Sequence, residues 1–268
     1  MLPIRLLFAA VLFQSNALFA ADYQGVRLIA HRGAGHEFDE NTVAACQQSY
    51  ERGIRGFEVD LRRTRDNQLV LMHDNDVSRT TNGSGKVEEL TLAEIRQLRT
   101  KGHGVLIPTA DDLFAYFKDK PDVTLLLEMK TSDAKVYPDD RLETYCRLLS
   151  ESARNTLPAG TYCFTSFDRR SLAQMKRVAP AMLTGLISST PPTAELIEEA
   201  KKLGCGRLSV PIDATPRKFA REIKTSGLEL SLWPIRTRED ADLAVAFGAN
   251  IICTDIPSEL LNKKVNVR

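Results

Sequence analysis

Apolar, β-branched runs alternate along this chain with amphipathic stretches, and that alternation limits the folds open to it. The runs fall at residues 26–31, 56–61, 69–73, 123–129, 161–167, 183–188, 207–211, 228–235 and 250–254. Strands separated by helical crossovers pair in parallel. Thr91 with Glu94 and Thr237 with Asp240 read as capping boxes, and Thr109, Thr193 and Thr215-Pro216 as further helix starts. Gly53, Gly204 and Gly248 stand where helices should stop. No Pro/Gly/Ser-rich linker divides the 268 residues, so residues 21–268 read as one domain. The pattern predicts an α/β fold, a (β/α)8 TIM barrel, which takes about 250 residues. A doubly wound open sheet is the runner-up, but no GxGxxG or Walker loop supports it.

The runs outnumber the barrel's strand positions by one. The extra run, 69–73, follows 56–61 across Arg65-Asp66-Asn67. So short a connection cannot hold a crossover helix and predicts an antiparallel hairpin after strand 2. Folded about Asp66-Asn67, the hairpin returns His73 beside Val59 and Asp60.

The first 20 residues are of another kind. Arg5 is followed by an apolar stretch at 6–13 and by small residues up to Ala21. That is the pattern of a secretory signal peptide cleaved after Ala20 or Ala21, and it predicts a periplasmic or secreted protein. Gln14, Ser15 and Asn16 end the apolar run well short of the roughly 20 residues of a membrane span. No stable membrane insertion is expected once the leader is lost. The full chain has 36 Lys and Arg against 35 Asp and Glu, so loss of Arg5 leaves it neutral. Without a basic tail or block there is no electrostatic footprint for nucleic acid. The five cysteines form no CxxC and name no disulfide pair.

In a barrel, catalytic groups come from the C-terminal ends of several strands. Strand 1 ends in His31-Arg32-Gly33, strand 2 carries Glu58 and Asp60, and strand 3 ends in Glu128-Met129-Lys130. Strand 7 carries Trp233, and strand 8 ends in Thr254-Asp255. Glu58/Asp60 and Glu128/Lys130 are i, i+2 pairs, so each pair projects from one face of its strand. Three converging carboxylates need a counter-charge. Oxygen ligands favour a hard divalent cation, Mg²⁺ or Ca²⁺, over zinc. Arg32 and Lys130 add positive charge, and the whole forms a receptacle for a phosphate ester. One of His31 and His73 can take a proton while the other gives one to the leaving oxygen. His36 and His103 have no such company and read as loop residues.

These residues fall into a larger set. It comprises His31-Arg32-Gly33, Glu40-Asn41-Thr42, Glu58-Val59-Asp60, Thr64 with Asp66, His73-Asp74 and Arg79-Thr80-Thr81 with Gly83 and Gly85. It continues with Ile107-Pro108-Thr109, Glu128-Met129-Lys130, Ser166-Phe167, Trp233 and the stretch from Gly248 to Pro257. In this order the chain resembles the glycerophosphodiester phosphodiesterases over about residues 28–258. The resemblance implies hydrolysis of a glycerophosphodiester, the small-molecule partner, to sn-glycerol 3-phosphate and an alcohol. It implies His31 and His73 as the acid/base pair, Glu58, Asp60 and Glu128 as metal ligands, and Arg32 and Lys130 at the phosphate. In the mechanism it implies, the substrate's glycerol hydroxyl attacks phosphorus and water opens the cyclic phosphate. His31 as base and His73 as acid suit the first step, though the residues themselves leave that order open.

The resemblance also makes residues 75–122 the family's variable insertion, here small and polar, with short helices expected over 91–98 and 109–117. Two positions depart from the family pattern. Asp39 replaces a Pro, which reads as a loop change of little chemical meaning. Trp233-Pro234-Ile235-Arg236 replaces Trp-Thr-Val-Asn at the substrate-facing end of strand 7. A phospholipase D or sphingomyelinase D-like enzyme of (lyso)lipids is the neighbouring alternative. A Schiff-base aldolase using Lys130 and a non-catalytic phosphodiester-binding protein are more distant ones. The carboxylates around Lys130 favour its protonated form and argue against the aldolase.

Overall fold

A computed structural model of the chain describes residues 22–261. The expected signal peptide at 1–20 lies outside them. The described strands form one ten-stranded sheet. Eight of its strands are parallel: β2 (Val26–Ala30), β3 (Gly56–Arg63), β5 (Thr124–Met129), β6 (Tyr162–Ser166), β7 (Thr184–Ile187), β8 (Arg207–Pro211), β9 (Glu229–Ile235) and β10 (Ile251–Thr254). A parallel pairing of Ala30 with Phe57 joins β2 to β3 and closes the barrel. Gly56 is required at this seam, because a Cβ there would lie 2.3 Å from the Leu28 carbonyl oxygen. The expected TIM barrel is the fold observed.

The two remaining strands are hairpin arms. β4 (Leu69–Leu71) runs antiparallel to β3, with Leu61 opposite Leu71 and Arg63 opposite Leu69. This is the hairpin read from the sequence, two residues shorter than its apolar run. Asn67 turns the chain at φ 63°, and the Thr64 hydroxyl bonds Asp66 at 2.6 Å. β1 (Asp22–Tyr23), which pairs antiparallel with β2, was not anticipated. Two residues are too few to show a hydrophobic period.

Helices α1 (Val43–Glu51), α3 (Ala110–Phe117), α4 (Asp139–Thr156), α5 (Arg169–Val178), α6 (Ala194–Lys202), α7 (Arg217–Thr225) and α8 (Arg238–Ala246) alternate with the barrel strands. Short α2 (Leu92–Ile95) lies in the insertion and α9 (Pro257–Leu261) follows β10. Capping boxes at Thr91/Glu94 and Thr237/Asp240 form as read, and a third forms at Thr109/Asp112. Gly53, Gly204 and Gly248 carry φ of 99°, 69° and 71° just past helix ends, a region that costs glycine little. Leu113, Phe114 and Phe117 of α3 belong to the main core. α3 is therefore the crossover helix between β3 and β5, not part of the insertion. The segment that stands apart has its own small core, of Val70, Met72, Val77, Val87, Ile95 and Ile107.

Alternation along each barrel strand separates core from site. Odd residues of β3 and β5, such as Phe57, Val59, Leu125 and Leu127, pack outward under the helices. The inward rows start apolar at the base and turn polar at the mouth. Ile29 leads to His31, Leu126 to Glu128 and Lys130, and Ile251 to Cys253 and Asp255. Ile29, Leu126, Cys163, Ile251 and Cys253 form a separate interior cluster with Trp233 packed on it. All five cysteines are buried and free.

Candidate active site

His31 leaves the end of β2 in a single 3-10 turn over His31–Gly33, and Arg32 adopts a left-handed φ of 53°. Such conformations are costly for a residue with a side chain and are held by their surroundings. Here the Arg32 backbone N–H donates to Glu58 Oε2 at 2.9 Å. The same turn places His31 Nε2 3.9 Å from that oxygen. The other ring nitrogen, Nδ1, lies 2.5 Å from Asp255 Oδ1 at the end of β10. An N–H on Nδ1 facing Asp255 leaves Nε2 to face the site.

Across the mouth, the hairpin delivers His73 where its register requires. Met72 N–H donates to the Asp60 carbonyl at 3.0 Å. Arg62 donates to the His73 carbonyl through Nε at 3.0 Å and Nη2 at 2.9 Å, fixing the end of the arm. His73 Nδ1 lies 2.7 Å from Asp74 Oδ1, so both imidazoles have a carboxylate behind them.

Glu58, Asp60 and Glu128 are buried, and one ligand atom from each lies within 4.8 Å of the others. Lys130 Nζ donates to Glu128 Oε1 at 2.7 Å and sits 3.3 Å from Asp60 Oδ1. Arg32 Nε is 3.6 Å from Asp60 Oδ2. Burial and the neighbouring Asp60 charge push Glu58 up to about 8, and Glu128 rises for the same two reasons. Asp60 goes the other way: burial opposes its charge, but Lys130, His73 and Arg32 hold it at about 2. Glu58 Oε1 has no hydrogen-bond partner, and Asp60 Oδ1 has only the Lys130 ion pair. Buried carboxylate oxygens short of partners are what a hard divalent cation would satisfy, and an all-oxygen set fits Mg²⁺ or Ca²⁺. The expected ligand trio is thus brought together, with Arg32, Lys130, His31 and His73 around it.

The imidazoles sit in different fields. Burial lowers His31, but the Asp255 hydrogen bond and the Glu58 charge outweigh it, so His31 lies above its ordinary value. Burial also lowers His73, and the Lys130 and Arg32 charges add to this against Asp60, so it lies below.

A cavity of ≈ 140 Å³ is lined by His31, Glu58, His73, Lys130, Phe167 and Trp233, among others. The Trp233 ring meets Phe167 edge-on with centroids 5.7 Å apart. Trp233 Nε1 and Thr165 Oγ1, both at this cavity, lack hydrogen-bond partners. All eight site residues expected from the sequence therefore border one space or its carboxylate floor.

A supporting network was not read from the sequence. The Asn41 side chain donates to Asp60 Oδ2 at 2.8 Å and accepts the Asp60 backbone N–H at 2.9 Å. Arg79 grips Glu40 with Nη1 at 2.9 Å and Nη2 at 2.7 Å, and its Nε donates to Asp74. Glu40 in turn accepts from Arg32 Nη1 at 3.1 Å. His73 and Arg32 are linked through Arg79. These residues stood within quoted motifs, but they lie in loops, where strand alternation assigns no direction. Asp255 closed the inward row of β10, and that alternation was the available signal. Asp39 also has more meaning than a loop change. Its carboxylate accepts from the Thr100 hydroxyl at 2.5 Å and His103 N–H at 2.9 Å, tying the first loop to the insertion. His103 has this acid as company, and exposed His36 lies 3.9 Å from Asp255 Oδ2.

Comparison with known proteins agrees with this architecture. The model of the glycerophosphoryl diester phosphodiesterase family matches residues 31–259. A glycerophosphodiester phosphodiesterase of Caldanaerobacter subterraneus subsp. tengcongensis is 32% identical over 247 residues, covering 88% of this chain and 96% of that protein. The structure of an Oleispira antarctica phosphodiesterase in complex with the product sn-glycerol-3-phosphate has a TM-score of 0.77 at 25% identity, covering 87% of this chain and 94% of that one. A Silicibacter pomeroyi structure of the same family name has a TM-score of 0.80 at 23% identity, over 88% and 93% of the two chains, and speaks for the fold. The chain belongs to the glycerophosphoryl diester phosphodiesterase family and is an enzyme of that family.

Proposed function

We propose that the protein hydrolyses glycerophosphodiesters to sn-glycerol 3-phosphate and an alcohol, with one divalent cation and a His31/His73 acid-base pair. The observation that carries this reading is the buried trio of Glu58, Asp60 and Glu128, flanked by two imidazoles that each have a carboxylate behind them. Glu58, Asp60 and Glu128 would hold the cation, and when bound it supplies charge neutralisation to the phosphoryl oxygens. Arg32 and Lys130 provide the remaining positive charge there. The ≈ 140 Å³ cavity suits the constant glycerol half, with Phe167 and Trp233 along its carbons and Trp233 Nε1 and Thr165 Oγ1 free for hydroxyls.

His73 borders both this cavity and the larger groove beside it, whereas His31 borders the cavity alone. This difference supports giving His31 the proton of the attacking glycerol hydroxyl and His73 the leaving oxygen. A second P–O bond to glycerol forms as the P–O bond to the alcohol breaks, and His73 protonates the alcohol. The roles exchange when water opens the cyclic phosphate: His73 takes the water's proton, and His31 returns one to the glycerol oxygen as its second P–O bond breaks. The proton preferences of the cation-free site run the other way. His31 is raised by Asp255 and Glu58, and His73 is lowered by burial, Lys130 and Arg32; a cation would neutralise the Glu58 part, and this reading rests on position.

The test is release of glycerol 3-phosphate by metal-stripped protein. Release should be absent in EDTA and return with Mg²⁺ or Ca²⁺. His31→Ala and His73→Ala should each fold and lose about 10²–10⁴-fold in kcat. Full activity in EDTA removes the metal from the reading, and a fully active mutant removes that histidine. We also read residues 1–20 as an export signal, on their sequence pattern alone. Among the described residues no helix is long and apolar enough to cross a membrane. N-terminal sequencing of the protein recovered outside the cytoplasm should begin at residue 21 or 22.

A further inference from the structure

A larger groove of ≈ 600 Å³ meets the ≈ 140 Å³ cavity at His73 and Lys130. One wall is the insertion, with Asn75, Lys86 and Glu89. The other is the loop after β5, with Ser132, Asp133 and Lys135. The floor carries Arg62, Glu88, Tyr137 and Arg141. Arg62 fixes the His73 arm, and none of the other nine groups has been given a part in the chemistry above. Yet a phosphate held at Lys130 between the two hollows would point one ester arm into each.

We propose that this groove is the subsite of the leaving alcohol, and that it takes polyhydroxylated alcohols in preference to a quaternary ammonium or an acyl chain. The inference rests on the phosphodiesterase reading above and names its substrate class. Size separates the two arms: a ≈ 140 Å³ cavity suits glycerol, and ≈ 600 Å³ leaves room for a larger polyol. Chemistry separates the alcohols. A quaternary ammonium is recognised by exposed aromatic faces. The aromatic residue among those lining the groove, Tyr137, is 1% exposed. An acyl chain needs apolar walls, and Val136 is the aliphatic residue in the lining. A polyol needs donors and acceptors in alternation. Lys135 has no carboxylate partner within 4.0 Å among the described residues, so its ammonium is free to donate to hydroxyls, whereas Arg141 Nη2 already donates to the Arg63 and Glu88 carbonyls at 3.5 and 3.4 Å. Asn75 and Ser132 add an amide and a hydroxyl at the rim, and Glu89 and Asp133 add acceptors. Beneath them Glu88 Oε2 and Arg141 Nε remain unpartnered, so the floor is polar as well.

The experiment compares kcat/KM for glycerophosphoglycerol, glycerophosphocholine, a lysophospholipid and the methyl ester of glycerol 3-phosphate. The methyl ester reaches no part of the groove beyond His73 and serves as the reference. Glycerophosphoglycerol should exceed glycerophosphocholine by about tenfold or more, the scale of discrimination by placed hydrogen-bonding groups. The ratio of glycerophosphoglycerol to methyl ester should fall by about tenfold in Lys135→Ala and in Ser132→Trp, which removes a donor and fills the groove. Equal rates on the two water-soluble headgroups, a preference for the lysophospholipid, or a ratio unmoved in both variants overturns the subsite. If the methyl ester is turned over normally in those cases, the phosphodiesterase reading stands without it. If neither the methyl ester nor any other diester is hydrolysed with either metal, the phosphodiesterase reading itself falls.

Discussion

Asn41 holds Asp60 from two directions, accepting its backbone N–H at 2.9 Å and donating to its carboxylate at 2.8 Å. Groups that orient a ligand from outside the coordination sphere set how well it binds. Asn41→Ala should weaken divalent-cation affinity by about 10–100-fold and recover much of its kcat at saturating metal. Metal titration by calorimetry and by activity checks this. Unchanged affinity would make the Asn41 contact structural only.

Asp255 stands against Nδ1 of His31, a contact that favours the proton on that nitrogen. Asp255→Asn keeps the shape but presents an amide that can stabilise the wrong tautomer. We expect kcat to fall by about 10²–10⁴-fold with KM little altered. A loss confined to KM would assign Asp255 to substrate binding instead.

Arg79 joins the supports of His73 and Arg32. Its side chain is 47% exposed, so its ion pairs add less than about 1 kcal/mol to stability. Its forked contact with Glu40 cannot be reproduced by lysine. Arg79→Lys should lower kcat/KM by about tenfold, equivalent to about 1.4 kcal/mol of transition-state stabilisation, with the melting temperature nearly unchanged. A large drop in melting temperature would show that Arg79 holds the fold.

The cation-free protein should respond to pH through Glu58. Its folded value of about 8 lies above the ordinary 4.5, because burial and Asp60 disfavour the charge. The folded state then binds the proton more tightly than the unfolded state does. On account of this group, stability is greatest below 4.5 and falls as pH rises toward 8. A bound cation takes the proton's place and removes that loss. Thermal melts in EDTA and in excess Mg²⁺ at both ends of this window check the sign. A melting temperature in EDTA that rises with pH across the window, relative to the Mg²⁺ series, would contradict it.

Much of the site was legible because it lies on strands. Alternation places Glu58, Asp60, Glu128, Lys130 and Trp233 on inward rows, and a short turn forces His73 back to them. Loop residues carry no such rule. Asn41 bonds Asp60 from a left-handed backbone, φ 57°, that nothing in the local sequence demands. The roles of Glu40, Arg79 and Asp39 likewise depend on partners far away in the chain. The insertion's extent was misjudged because α3 has the same helical pattern in either role. Only its packing on the main core separates them.

β3 changes partners along one edge. β2 pairs with it at Phe57, and β4 takes over at Leu61. In the gap between, the amide proton of Asp60 goes to a loop side chain instead of a neighbouring strand. The floor of the site is thus completed by the closing of a loop, not by the zipping of the sheet. Mild denaturant should release that one proton to exchange while the flanking strand amides stay protected, giving a dormant barrel that keeps its circular dichroism and does no chemistry.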